Sequence, residues 1–359
     1  MGIRRTSART VLAAAVTASL LAAGSAAFAA PAGADPDHAY RHGAVPMLGT
    51  AQDAAATSSV NMSYGGGAGS PKIGVTTGAP RVYLVFWGSQ WGKKSTNAQG
   101  YTTLSGDSTG TAPRLQALFK GIGANHETWS GVMTQYCEGI ATGAQSCPSN
   151  AKHVGYPTGG ALAGVWVDES GAEPSAANGH DLGVEAVKAA GHFGNTTAAK
   201  NRNVQYVVVS PSGTFPDGFN TPNGGFCAWH DYTGDTTLNG GAVPSKYGQL
   251  AFTNMPYVTD AGASCGQNFV NAGTAGNLDG VTIVEGHEYA ETITDQNPAG
   301  GWTSSDGQET GDKCAWVNTG TGASANVKFA TGSFAMQSTW ANDASSGKGG
   351  CEMSHSIIK

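Results

Sequence analysis

A histidine and a glutamate sit one helical turn apart, with a second glutamate between them, in Gly286-His287-Glu288-Tyr289-Ala290-Glu291. Residues four apart stack on one face of an α-helix, so His287 and Glu291 can share a cation while Glu288 faces a water bound there. The better-known zinc-hydrolase spacing is H-E-x-x-H, and here Glu291 stands where its second histidine would be. Catalytic zinc usually takes three protein ligands, leaving one position for water. The third is expected from Gly307-Gln308-Glu309-Thr310-Gly311-Asp312-Lys313-Cys314. Glu309 is one candidate; Asp312 is the other, or else a partner that orients His287 from outside. With His287, Glu291 and Glu309 as ligands, two carboxylates balance the dication, so the water would be less acidified than among neutral histidines. Glu288 is the expected general base. His230 or Tyr232, in Cys227-Ala228-Trp229-His230-Asp231-Tyr232, is the expected helper for a developing oxyanion. Zn²⁺ is the expected ion. Ca²⁺ held by Glu291, Glu309, Asp312 and Asp306 is the alternative, against which the histidine argues.

Three other patterns carry weaker signals. Gly106-Asp107-Ser108-Thr109-Gly110 matches the G-x-S-x-G nucleophile pattern, but no buried strand precedes it, so a surface turn is expected. His180-Asp181 with Glu185 repeats the four-residue spacing, which a helix N-cap and a solvated first turn explain. Trp87, Trp91, Trp129, Trp229, Trp302 and Trp316 could line a sugar-binding surface, although core packing is the ordinary fate of such rings.

The elements that must position these residues follow from periodicity. Arg81 to Trp87 is a continuous apolar, β-rich run, as expected of a strand buried on both faces. Leu162 to Val167 and Val204 to Ser210 resemble it, and Leu250 to Val258 does so less clearly. Between them, Pro113 to Ile122 and His180 to His192 carry apolar residues at helical spacing. The motif itself lies in a predicted helix with Asp279 as N-cap, stopped by Asn297-Pro298-Ala299-Gly300-Gly301. Alternating strands and helices predict a single loop-rich α/β domain, with a central mostly parallel or mixed sheet flanked by helices and stapled by disulfides. It is expected over 78–359, with no internal repeat.

Before it, Arg4-Arg5 and Arg9, the apolar stretch Val11 to Ala23 and Ala27-Phe28-Ala29 read as a signal peptide over 1–29. Thr6-Ser7-Ala8 fits twin-arginine export poorly, so general secretion is preferred. Residues 30–77 are rich in Ala, Gly and Ser and read as a flexible arm or a propeptide, a propeptide covering the active site being the sharper form of that expectation. The six cysteines agree with an oxidising destination. Order and local spacing favour Cys137 with Cys147, Cys227 with Cys265 and Cys314 with Cys351 among the fifteen pairings that six thiols allow. No Cys-x-x-Cys occurs, which argues against a thiolate zinc site. A formal charge of −6 without basic runs argues against nucleic acid as a partner. No second apolar run suggests a membrane span, so the expected partner is an extracellular protein or peptide substrate.

The order of landmarks resembles that of the phosphate-induced protein 1, or EXORDIUM-like, family. It comprises Val82 to Gly88, then Val207 to Ser210 leading to Cys227-Ala228-Trp229-His230, then Cys265, the His287 to Glu291 helix with Thr294-Asp295, Trp302, and Glu309 to Cys314. The resemblance spans roughly residues 80 to 320. It implies one α/β domain, a Cys227–Cys265 disulfide and a zincin-like metallopeptidase centre. Plant members are known mainly as extracellular growth-associated proteins without an assigned reaction. Two expectations follow: a secreted zinc-dependent peptidase, or a non-catalytic extracellular protein that binds wall, matrix or carbohydrate polymer and holds a structural cation or none.

Overall fold

A computed structural model describes residues 1–2, 41–49, 60–222 and 224–359. The signal peptide and residues 30–40 and 50–59 of the expected arm lie outside the described residues, apart from the first two residues of the chain.

The central sheet has six strands, numbered here β1 (His42–Pro46), β2 (Arg81–Trp87), β3 (Leu162–Asp168), β4 (Val204–Val209), β5 (Phe226–Tyr232) and β6 (Ala251–Met255). Their order across the sheet is β1-β5-β6-β4-β2-β3. The β6/β4, β4/β2 and β2/β3 pairs are parallel, while β1/β5 and β5/β6 are antiparallel, so the sheet is mixed. The protein is therefore of the α/β class, and the three disulfides join Cys137 to Cys147, Cys227 to Cys265 and Cys314 to Cys351.

Three helices matter most: α1 (Thr111–Gly121), α2 (Gly179–His192) and α3 (Asp279–Thr294). The chain passes from β2 through α1 to β3, then reverses through α2 to β4. Right-handed crossovers in opposite directions place α1 and α2 on opposite faces. The interior of β2 and all of β4 are buried because helices cover both sides, which accounts for their uninterrupted apolar runs. α3 joins α1 on its face and packs against β5, β6 and a hairpin of Ala325–Phe329 with Gly332–Met336. Every residue of α3 is buried, so it has no solvent side. Gly286 permits the approach of the hairpin, since a Cβ there would come 2.6 Å from the Met336 methyl.

Four local readings change. Asp279 is the first residue of α3 and not its cap; its carboxylate accepts the amides of Val270 and Asn271 and so ties the preceding loop. Asn178 is the residue that caps α2, in a reciprocal box with Asp181, whereas Glu185 is buried beside Lys188 and not solvated. Residues 60–77, counted with the arm on composition, include a strand pair with Trp302–Thr303 and the buried Met62, Ile73 and Val75. Residues 41–49 supply the edge strand β1. Of the six tryptophans named above, Trp91, Trp129, Trp229, Trp302 and Trp316 are core residues, and Trp87 packs half-buried against the core. Among the described residues no helix is long and apolar enough to cross a membrane.

Candidate metal centre

α3 presents His287, Glu288 and Glu291 toward β5, where side chains alternate across the sheet. Trp229 points to the α2 side against Gly179, so its neighbour His230 points to α3. His287 Nε2 lies 3.0 Å from Glu291 Oε2 and 3.5 Å from Asp312 Oδ1. Atoms bonded at about 2.0–2.2 Å to a tetrahedral zinc are about 3.3–3.6 Å apart; the His287–Asp312 separation matches this, the His287–Glu291 one is tighter, and all three ligand atoms lie within 4.8 Å of one another. His230 Nε2 lies 3.8 Å from the same Glu291 oxygen, and His230, Glu288 and Glu291 form a second close group.

The outer atoms of the trio are fixed from behind. The Oε1 of Glu291 accepts the backbone amides of Gly311 and Asp312, both at 2.9 Å, which leaves Oε2 facing His287. Asp312 Oδ2 accepts the amide of Glu309, leaving Oδ1 to the site. His287 Nδ1 is 3.2 Å from Gln337 Oε1. With the proton on Nδ1, this bond turns the Nε2 lone pair into the site, the arrangement usual for metal-binding histidines. Gln337 also donates to the carbonyl of Gly311 at 2.9 Å. Gly311 is needed for this approach, because a Cβ would fall 2.8 Å from the His287 ring and 2.9 Å from Glu291 Oε1. The Cys314–Cys351 disulfide follows directly and anchors the loop.

The expected residues divide as follows. His287, Glu291 and Asp312 come together, whereas Glu309 turns its Oε2 to His230 Nε2 at 3.1 Å. Asp306 accepts from Ser304 and belongs to none of the close His and acid groups. Tyr232 is buried at the end of β5. Ser108 is exposed in a turn, where the carboxylate of Asp107 accepts the amides of Gly110, Thr111 and Ala112 to start α1. Sequence reasoning missed Gln337 and the Gly43 of β1. Neither lies in a recognisable motif.

The electrostatics suit a cation. His230, His287, Glu288 and Glu291 are fully buried and Glu309 is nearly so. Their unpartnered atoms include His287 Nε2, both Glu288 oxygens and Glu291 Oε2. Burial, then the neighbouring Asp312, pushes the Glu291 carboxyl up to about 7 against the pull of His287. Burial likewise holds Glu288 and Glu309 well above the usual carboxylate range, with nearby acids adding to the effect. Burial opposes charge on His287, but Glu291 and Asp312 outweigh it and raise its value. His230 goes the other way, lowered by burial and by His42 and His287. Dry, unpaired Glu288 oxygens beside the His287–Glu291 pair are costly to bury, a cost that a positive ion would relieve. The donor set of imidazole and carboxylate fits zinc.

Compared with family models, with curated proteins and with solved structures, the chain matches none.

Proposed function

We propose that the protein is a secreted zinc-dependent metallohydrolase that cleaves peptide bonds. The observation that carries this reading is the meeting of unpartnered His287 Nε2 and Glu291 Oε2 with Asp312 Oδ1, beside the unpartnered carboxylate of Glu288. His287, Glu291 and Asp312 would hold the metal, with His230 next to them. When bound, the ion supplies Lewis acidity toward a scissile carbonyl and toward a water. Glu288 takes the proton of the attacking water and passes it to the leaving amine. His230, kept neutral by burial, has one N–H, which would pass from Glu309 Oε2 to the developing oxyanion when substrate binds. The resemblance to the EXORDIUM-like family supports this reading, as do the three disulfides, which fit an oxidising compartment outside the cell.

One observation favours a second reading. The four central side chains have no solvent exposure, which a structural cation in a non-catalytic extracellular protein would also produce. Metal analysis of the purified protein, with casein or peptide-library cleavage by wild type and Glu288→Ala in matched preparations, separates the two. The expected result is one zinc per chain in both proteins, with cleavage reduced by about 100-fold or more in the variant. Undiminished cleavage by Glu288→Ala would overturn the assigned base, and full zinc without cleavage in any form would favour the structural cation.

A further inference from the structure

His230, His287, Glu288 and Glu291 have no solvent exposure and Asp312 has little, so a polypeptide cannot reach the base and something in this fold must move before the proposed reaction can occur. β1 is the element in the way. It pairs antiparallel with β5 at the sheet edge, with His42 opposite His230, Val45 opposite Ala228 and Pro46 opposite Phe226. Two residues of β1, Gly43 and Ala44, span the interval that Trp229 alone fills on β5, which makes a bulge at Gly43. Gly43 has φ of 53°, and a Cβ on it would fall 2.1 Å from Glu291 Oε2 and 2.6 Å from His230 Nε2. The backbone of β1 therefore lies directly against the metal-binding oxygen and the proposed oxyanion donor. No side chain larger than hydrogen fits there.

We propose that residues 41–49 are an intramolecular inhibitor: a tethered strand that seals the metal centre and must leave the β5 edge for substrate to enter. This rests on the metallopeptidase reading and adds its regulation. The anchors of the strand are suited to a docked but separable segment. Arg41 Nε donates to Asp217 Oδ2 at 2.7 Å, and His42 Nε2 lies 3.0 Å from Asp235 Oδ2. The carbonyl of Pro46 accepts from Trp316 Nε1 at 2.6 Å, and Val45 and Met47 are buried. Asp217, Asp235 and Trp316 all belong to the body of the domain. Once β1 departs, β5 becomes an edge strand with free amides and carbonyls, the kind of edge an extended peptide can join. The body's own first strand pair begins only at Ser63, so a cut between β1 and Ser63 would free the strap while leaving that pair intact.

The test uses the full chain, zinc-loaded, with a site-specific protease sequence inserted between Gly49 and Val60. Two rates are read before and after cutting and gel filtration: zinc stripping by a chelator, and casein cleavage. Both are expected to rise about tenfold or more, and a synthetic Arg41-to-Gly49 peptide should suppress them at about millimolar concentration, matching the effective concentration of a tethered segment. Gly43→Ala, made in the same chain, should raise both rates without any cut. Should the cut strand stay bound, this variant decides the matter.

Stripping and cleavage rates equal in the intact chain, the strap-free form and Gly43→Ala would overturn the proposal. Equal cleavage in all forms would leave the peptidase reading standing without the inhibitor. Faster stripping without cleavage in any form would support the seal and sink the peptidase reading.

Discussion

Replacing Gln337 with leucine tests whether the metal centre depends on a residue far from the motif. Gln337 is buried and makes two bonds that matter: it accepts from His287 Nδ1 at 3.2 Å and donates to the Gly311 carbonyl at 2.9 Å. Leucine has similar volume but neither group, so the imidazole loses the bond that fixes its tautomer and ring plane. Loss of such an outer partner typically weakens metal binding by about 10- to 100-fold, or about 1.4–2.8 kcal/mol. The zinc-free fold should also suffer, since two buried polar groups lose their partner at about 1–3 kcal/mol each. Gln337→Glu is the control, because it keeps an acceptor for His287 while it gives up the donor to Gly311 and adds a carboxyl group to a buried acidic site. The assay is zinc competition against a chromogenic chelator, alongside thermal melts of both zinc-free variants. The expected order of affinity is wild type, then Gln337→Glu, then Gln337→Leu. If Gln337→Leu binds zinc within twofold of wild type while its zinc-free melting point falls, Gln337 supports only the fold and the assignment of His287 Nε2 as a ligand loses its main support.

Two further predictions concern groups away from the metal. Burial pushes the Glu173 carboxyl up to about 8, with Ser210 donating to it at 2.7 Å and pulling the other way. The folded state therefore keeps this proton after the unfolded chain has lost it, so Glu173 should lower stability as pH rises from about 4.5 to about 8, by about 4–5 kcal/mol at most, and leave it flat above. Melting curves of wild type and Glu173→Gln across that range should converge at low pH and separate as pH rises; parallel curves would refute the buried neutral acid. The second prediction concerns the Asp107-Ser108 turn. Ser108→Ala should leave cleavage unchanged, whereas Asp107→Ala should cost about 1–2 kcal/mol of stability by freeing the amides that open α1. Loss of cleavage in Ser108→Ala would revive the serine nucleophile.

What the sequence made legible was local. His287 and Glu291 face one point because helix geometry alone puts them there, and the strands β2 and β4 declare themselves by apolar runs that two covered faces require, whereas β3 carries a similar run but lies half-buried at the sheet edge. Of the glycines around Glu309 and Asp312, Gly311 has a structural reason: the backbone there presses on the His287 ring. The choice between those two carboxylates was beyond reach, because it turns on which oxygen meets His287 and which meets His230. β5 does not declare itself as a strand, since a buried strand carrying His230 and Asp231 lacks the apolar signature of its neighbours. β1 was hidden for a related reason. Arg41, His42, Gly43 and Pro46 have little strand preference, and the segment is extended because β5 offers it an edge. Gln337 gave no signal because its partner is fifty residues away in sequence.

The burial of the centre bears on why such residues are present at all. Glu288, Glu291 and Glu309 are shut in a dry interior with two histidines, and several of their polar atoms lack a hydrogen-bond partner. Where only stability is at stake, apolar side chains of similar volume usually serve as well as a buried ionic cluster or better. A structural cation would account for His287, Glu291 and Asp312, but it would not account for Glu288, whose two oxygens are left without any bond between the ligand-bearing positions of the same helix. An unpaired buried carboxylate does not by itself mark a base, since Glu285 of the same helix is equally buried and unpartnered, but a general base must also lie beside the ligands, as Glu288 does with His230 and Glu291. The proposed seal by β1 would reconcile that requirement with the burial: the backbone at Gly43 lies against Glu291 Oε2 and His230 Nε2, and the missing side chain lets the strand lie so close.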